Sequence, residues 1–298
     1  MAAAPQSAPS PPAAPQRAAK PAAGPRKGPA SRPDISTLAG IAVAVAGIVG
    51  GLVLEKGSIQ DIAQATAAMI VFGGTLGAVL VTNPLPVVVR AVGALRGVFF
   101  EQSNPASDTI DSLIRLATKA RKNGIVSLET DAAALDDPFF RKALNLAVDG
   151  TDLQELRKIM EVDIALSEQA GEAEAKVWEA AGGYSPTIGI IGAVMGLIQV
   201  MKHLEDIKEV GHGIAVAFVA TIYGVASANI FFLPAGNKLR SRIRHATVLK
   251  DLTLEGVIGI VEGLNPTLIR LKLESFDPHP ANAKTRRKAP AASPGGKP

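Results

Sequence analysis

The sequence predicts an all-α polytopic membrane protein with four transmembrane helices and a helical cytoplasmic domain, and three observations carry that expectation. Four long runs contain no charged side chain: Ser36 to Leu54, Ile62 to Val89, Gly182 to Met201 and Ile214 to Gly236. A bilayer core of about 30 Å takes roughly 20 apolar helical residues, so each run is long enough to cross it. The Lys and Arg residues are sorted about these runs, and nowhere does an alternating strand pattern appear.

Taken in order, residues 1–34 form a tail of Ala, Pro, Ser, Lys and Arg, too long and too polar for an ordinary secretory signal peptide. Such a tail is expected to be disordered, ahead of an uncleaved first span. Residues 35–89 hold spans one and two. Residues 90–181 form a helical cytoplasmic domain: Ser107 or Asp108 offers an N-cap for an amphipathic helix that Gly124 stops. A second helix starts at Ser127, PFFRKALNLAV is a third, and Thr151 can cap a long fourth that runs into span three. Trp178 falls where that helix meets the membrane, as an interfacial aromatic does. Residues 182–236 hold spans three and four. Residues 237–276 are cytoplasmic helices, the last opened by Asn265-Pro266, and residues 277–298 are a basic tail expected to be disordered.

Orientation follows from the positive charges. Of the 31 Lys and Arg, 28 lie in the leading tail, in the loop Arg90 to Lys176, or from Lys238 onward. Only Lys56 lies between spans one and two, and only Lys202 and Lys208 between three and four. Both termini and the central loop are therefore expected in the cytoplasm. The sequence pI near 9.3 is thereby explained by topology and calls for no nucleic acid.

The chemistry of an enzyme is missing. No phosphate-binding glycine loop, GxSxG elbow or HExxH spacing occurs, and the absence of cysteine excludes disulfides, thiolate metal sites and a cysteine nucleophile. The topology scatters His203, His212, His245 and His279, so neither a metal site nor a cofactor is expected. The spans carry hydroxyls and amides, among them Ser185, Thr187, Thr221, Tyr223, Ser227 and Asn229, yet no carboxylate to hold a proton. A protein of this kind that moves protons needs a partner to supply the titrating group. Small residues would admit close neighbours: Gly47 and Gly51, Gly73 and Gly77, Gly192 and Gly196, and the stripe Ala217, Ala220, Thr221, Gly224 and Ala228. For the first two pairs, packing inside one subunit and contact between subunits are equally open.

Four segments resemble the MotA/PomA stator proteins of the bacterial flagellar motor, part of a wider class with ExbB and TolQ. The resemblance covers about Ile35 to Phe276. ARKNGIVSLE, Ala120 to Glu129, is similar to a family motif that implies Arg121 and Glu129 as charges engaging the rotor protein FliG. YSPTIGIIGAVMGL and PAGNKL resemble the family's two proline segments, which implies roles for Pro186 and Pro234 in coupling ion passage to movement. By topology both prolines lie near the cytoplasmic face, and they are expected at one depth. ATIYG places Thr221 at a hydroxyl the family uses along its ion path. Sodium-driven relatives carry a second hydroxyl where Ala193 stands here, and alanine offers sodium no side-chain oxygen, so protons are expected. The resemblance further implies a homopentamer around two MotB chains whose spans bear the proton-binding Asp, in the bacterial inner membrane. ExbB and TolQ have three spans with the large loop after the first. An energiser of their kind, or a scaffold that conducts nothing, are the competing readings.

Overall fold

The computed structural model describes residues 31–102 and 106–276. The two tails expected to be disordered otherwise lie outside the described residues. Strand β1, Ser31–Pro33, precedes helix α1, Ile35–Leu54; a short helix α2, Ile59–Ile62, leads to α3, Ala65–Thr82, and then α4, Leu85–Phe99. Strand β2, Phe100–Gln102, pairs antiparallel with β1, Arg32 opposite Glu101. Helices α5 (Ala106–Asn123), α6 (Glu129–Ala133) and α7 (Pro138–Val148) follow. Then come two very long rods, α8 (Leu153–Lys202) and α9 (Ile207–Val261), and a final helix α10, Pro266–Leu273.

Four of these helices are long and apolar enough to cross a membrane: α1, α3, α8 and α9. The second span is shorter than the uncharged run Ile62 to Val89. Asn83 is extended (φ −129°, ψ 139°) and Pro84 precedes a new helix, because a proline disfavours the helical conformation of the residue before it. The run stays uncharged past that break only because α4 begins with Leu85, Val87, Val88 and Val89. The three-residue ladder partners at 31–33 and 100–102 are too short to show a period, which is why no strand was expected there.

The helical domain at one end of the spans is built on a core of Leu113, Leu128, Leu144, Leu156, Met160, Leu252, Ile258, Ile269 and Leu273, each under 2 % exposed. Residues from α5, α7, α8, α9 and α10 meet there. Gly256 lets α9 touch α5, since an added Cβ would come within 2.4 Å of the Leu113 side chain. Caps set the helix ends. Asp137 accepts from the Phe139 amide at 2.8 Å, with Pro138 at the first helical position.

Two expected starts move. Asp152, not Thr151, caps α8, accepting from the Gln154 amide at 3.0 Å. The Thr151 amide is already committed to the Leu146 carbonyl at 3.1 Å, closing the preceding helix around Gly150 at φ 76°. Ser127 lies in a tight 3-10 turn, Ile125–Leu128, its hydroxyl on the Gly124 carbonyl at 2.6 Å, so the helix opens at Glu129. Ser107 and Asp108 both fall inside the first turn of α5, and the residues just before Ala106 lie outside the described ones. Trp178 turns inward: its indole N–H donates to the Ala91 carbonyl at 3.0 Å, and its ring stacks near Phe232 and meets Phe231 edge-on.

Candidate functional site

The membrane part of α8 packs against α9 backbone to backbone. An added Cβ on Gly189 would stand 2.9 Å from the Ala220 carbonyl oxygen; on Gly196, 2.7 Å from that of Gly213; on Gly224, 2.6 Å from that of Ser185. These are the small faces read from the sequence, and they are spent within the subunit. The other two glycine pairs are not. Gly47, Gly51, Gly73 and Gly77 have no atom within 4 Å of an added Cβ, and α1 buries no residue at all.

Along this pair of helices sit the four residues expected on the ion path or in its coupling to movement. Thr221 is partly buried, its hydroxyl donating to the Ala217 carbonyl one turn back at 3.2 Å. Its Cα lies 3.5 Å from the position of an added Gly189 Cβ. Ala193 is one helical turn beyond Gly189 on the same side of α8, and partly buried. Thr221 and Ala193 thus belong to one stretch of the α8–α9 seam. Pro186 lies inside α8, its Cα 3.2 Å from an added Gly224 Cβ.

The two prolines are not level. Pro186 faces Gly224, whereas the chain beside Pro234 faces lower residues of α8: Leu233 covers Gly182, and Gly236 meets Ala175 and Glu179. With antiparallel rods this offsets the prolines by more than one helical turn, on the order of 10 Å along the axis. The expectation of a common depth fails because an uncharged run gives no measure of tilt or stagger between helices. Pro234 is also exposed, while Pro186 is half-buried.

Arg121 ends α5 and Glu129 begins α6. Between them Gly124 adopts φ 83°, a left-handed conformation that favours glycine, and the buried Leu128 anchors the tight turn. Lys119 and Asp131 bridge the two helices at 2.5 Å. Arg121 and Glu129 are exposed, and neither forms an ion pair among the described residues. They project as a free cation and a free anion on either side of a fixed turn.

Three further groups escaped the sequence reading. Asp34 caps α1 and is 7 % exposed, held by Lys238 at 2.6 Å and Arg242 at 2.8 Å, both on α9. Hydrogen bonds from Lys238, Ser36 and Thr37 hold its carboxyl well below the usual carboxylate range against the opposing effect of burial. Glu255 is pushed up by burial and pulled down further by Lys272 and Arg157, leaving it below its ordinary value. Third, the hydroxyls of Ser185 and Ser227 meet across the α8–α9 seam at 2.7 Å.

Two family descriptions match the chain in succession, Motility protein A N-terminal over residues 38–124 and the MotA/TolQ/ExbB proton channel family over residues 131–251. Motility protein A of Helicobacter pylori is 35% identical over 243 residues, spanning 82% of this chain and 95% of that protein.

The chain belongs to the motility protein A family.

The solved C. jejuni MotAB structure matches this member of the family with a TM-score of 0.78 at 30% identity, over 83% of this chain and 96% of that one. The flagellar MotAB stator complex from Bacillus subtilis matches with 0.76 at 32% identity, over 85% and 98%. The family is one of membrane proton channels rather than of enzymes, and the Motility protein A N-terminal match groups this member with motility protein A rather than with ExbB or TolQ.

Proposed function

We propose that this chain is the MotA-type stator subunit of a bacterial flagellar motor, forming with MotB a proton-conducting complex that converts ion flow into torque. The observation that carries the reading is the seam between α8 and α9. It is packed through backbone, lined by Thr221 and Ala193, and free of any carboxylate, histidine, lysine or arginine from Gly182 to Met201 and from Ile214 to Gly236. Such a wall can shape a path but offers no titrating carboxylate, so that group belongs to the partner, and the solved structures to which the chain is similar are named as MotAB.

The arrangement is a homopentamer around two MotB chains in the inner membrane, both termini in the cytoplasm, with no catalytic activity and no cofactor. Residues 1–30 and 277–298 are tails, residues 31–34 the paired strand and cap ahead of the first span, residues 35–89 and 182–236 the membrane part, and residues 90–181 and 237–276 the cytoplasmic domain. Protonation of the MotB Asp beside the seam drives stepwise rotation of the ring, Pro186 and Pro234 relay the movement, and Arg121 and Glu129 deliver it to FliG. Ala193 leaves the path short of oxygen ligands for sodium, so the ion is the proton.

The test is motility in a strain lacking its own copy. Arg121→Glu combined with Glu129→Arg abolishes swimming while the protein is made and inserted normally, because both side chains are exposed and unpaired. Normal swimming with both reversals would sink the rotor contact. Co-purification with MotB separates the stator from an ExbB-like energiser, which would bring down a TonB- or TolA-type partner instead. A swimming speed that tracks external sodium at fixed pH would overturn the choice of ion.

A further inference from the structure

Ser185 is fully buried, and its hydroxyl reaches out of α8 to Ser227 of α9 at 2.7 Å. A buried helical serine has a carbonyl of its own helix within reach, so a hydroxyl that crosses to a neighbouring helix marks a specific tie. The direction of the bond follows from counting protons. Ser227 has one, and it goes to the Tyr223 carbonyl at 2.6 Å, so Ser185 donates to Ser227.

Both ends of the tie lie at interruptions of the helical ladder. Pro186, next in sequence to Ser185, has no amide and leaves the Gly182 carbonyl without its usual donor. Ser227 is the first residue of a π-helical segment, Ser227–Phe232, where the ladder widens to i→i+5. Bends in long helices occur at prolines and at π segments. The chain therefore places the bendable point of one rod beside that of the other and joins them by a single hydroxyl pair, one turn from Gly224, where an added Cβ would stand 2.6 Å from the Ser185 carbonyl oxygen.

We propose that Ser185 and Ser227 form a positioning pair that holds the Pro186 bend of α8 in register with the π segment of α9, so that the two rods flex as one during each ion-driven step. The pair touches neither ion nor rotor; it acts through the backbone it aligns. This inference rests on the stator reading above.

The experiment uses the full chain with its cognate MotB in cells lacking their own copy, and follows single motors by bead rotation. Engaged units are counted from speed steps, and speed per unit is read at low and at high load. Ser185→Ala and Ser227→Ala each lower the low-load speed per unit about threefold, the scale of one interhelical hydrogen bond in a membrane protein. The double variant is no slower than either single one, and Ser227→Thr, which keeps the hydroxyl, restores the parent speed. The number of engaged units and the melting temperature stay near those of the parent. Unchanged speed per unit in both alanine variants overturns the proposal, as does a double variant whose losses multiply. Fewer engaged units or a lower melting temperature at unchanged speed per unit reduces the pair to a structural contact and overturns it too. A parent chain that restores no rotation fails earlier, on the stator reading itself.

Discussion

Gly224→Ala tests the backbone contact on which the α8–α9 seam depends. The new methyl would stand 2.6 Å from the Ser185 carbonyl oxygen, 3.1 Å from Gly189 Cα and 3.2 Å from Pro186 Cα, where ordinary contact begins at 3.4 Å. All three neighbours are backbone, so no side chain can swing away, and the rods must part by about 0.8 Å at that level. Overpacking of a tight contact costs about 1–3 kcal/mol. At roughly 2–4 °C per kcal/mol for a chain of this size, the midpoint falls by about 2–12 °C. The assay is thermal melting of the purified protein in detergent, followed by the fluorescence of Trp178, the single tryptophan, which packs inside the same bundle. Gly77→Ala is the matched control, with no atom within 4 Å of the new methyl and a better helix former in place of glycine. A Gly224→Ala protein that melts at or above its parent would show that the seam has slack, and the argument from close approach would be wrong.

Other expected outcomes follow from the charged groups. Asp34→Asn keeps the cap of α1, since Asn caps as well as Asp, but leaves Lys238 and Arg242 without their carboxylate, at a cost of about 2 kcal/mol, between the values for exposed and buried pairs. Because the folded-state value of Asp34 is depressed, its contribution is complete above the unfolded value near 3.9 and is lost only as pH falls through the folded one. The variant should therefore melt lower by a constant amount from about pH 5 to 8, and a deficit that changes across that range would refute the assignment. Asp251 behaves oppositely: burial, then Glu168, Glu161 and Glu255, raise it, so its penalty grows as pH rises through the unfolded value and persists above the folded one. Asp251→Asn should melt higher than the parent at pH 7, with a gain that shrinks toward about pH 4.

The spans were legible because hydropathy and proline are local signals, whereas the caps of α1 and α8 fell on Asp34 and Asp152, which were not expected to hold them. The uncharged runs located α1, α8 and α9, and Asn265-Pro266 marked the start of α10. What the sequence hid was pairing at a distance. Asp34 stands in a stretch that reads as tail, and its partners Lys238 and Arg242 lie some 200 residues away. Ser185 and Ser227 read as two hydroxyls among many, since nothing local tells a serine bonded to its own helix from one that crosses to another. The stagger of Pro186 against Pro234 is likewise a property of two helices together. Arg121 and Glu129 were found only through the motif around them, because an exposed, unpaired charge has no signature of its own.

One dimension of α8 bears on how small a motion would suffice. From Pro186 to Leu153 the helix runs unbroken for about 50 Å at 1.5 Å per residue. A change of about 10° at the proline, modest beside the kinks that prolines commonly cause, would sweep the far end through roughly 9 Å. That end carries Leu156, Met160 and Ile164 into the core shared with α5 and α7, so the turn bearing Arg121 and Glu129 would travel with it. The length of one helix thus works as mechanical gearing: an ångström-scale adjustment inside the bilayer becomes a stroke comparable to the width of a helix outside it.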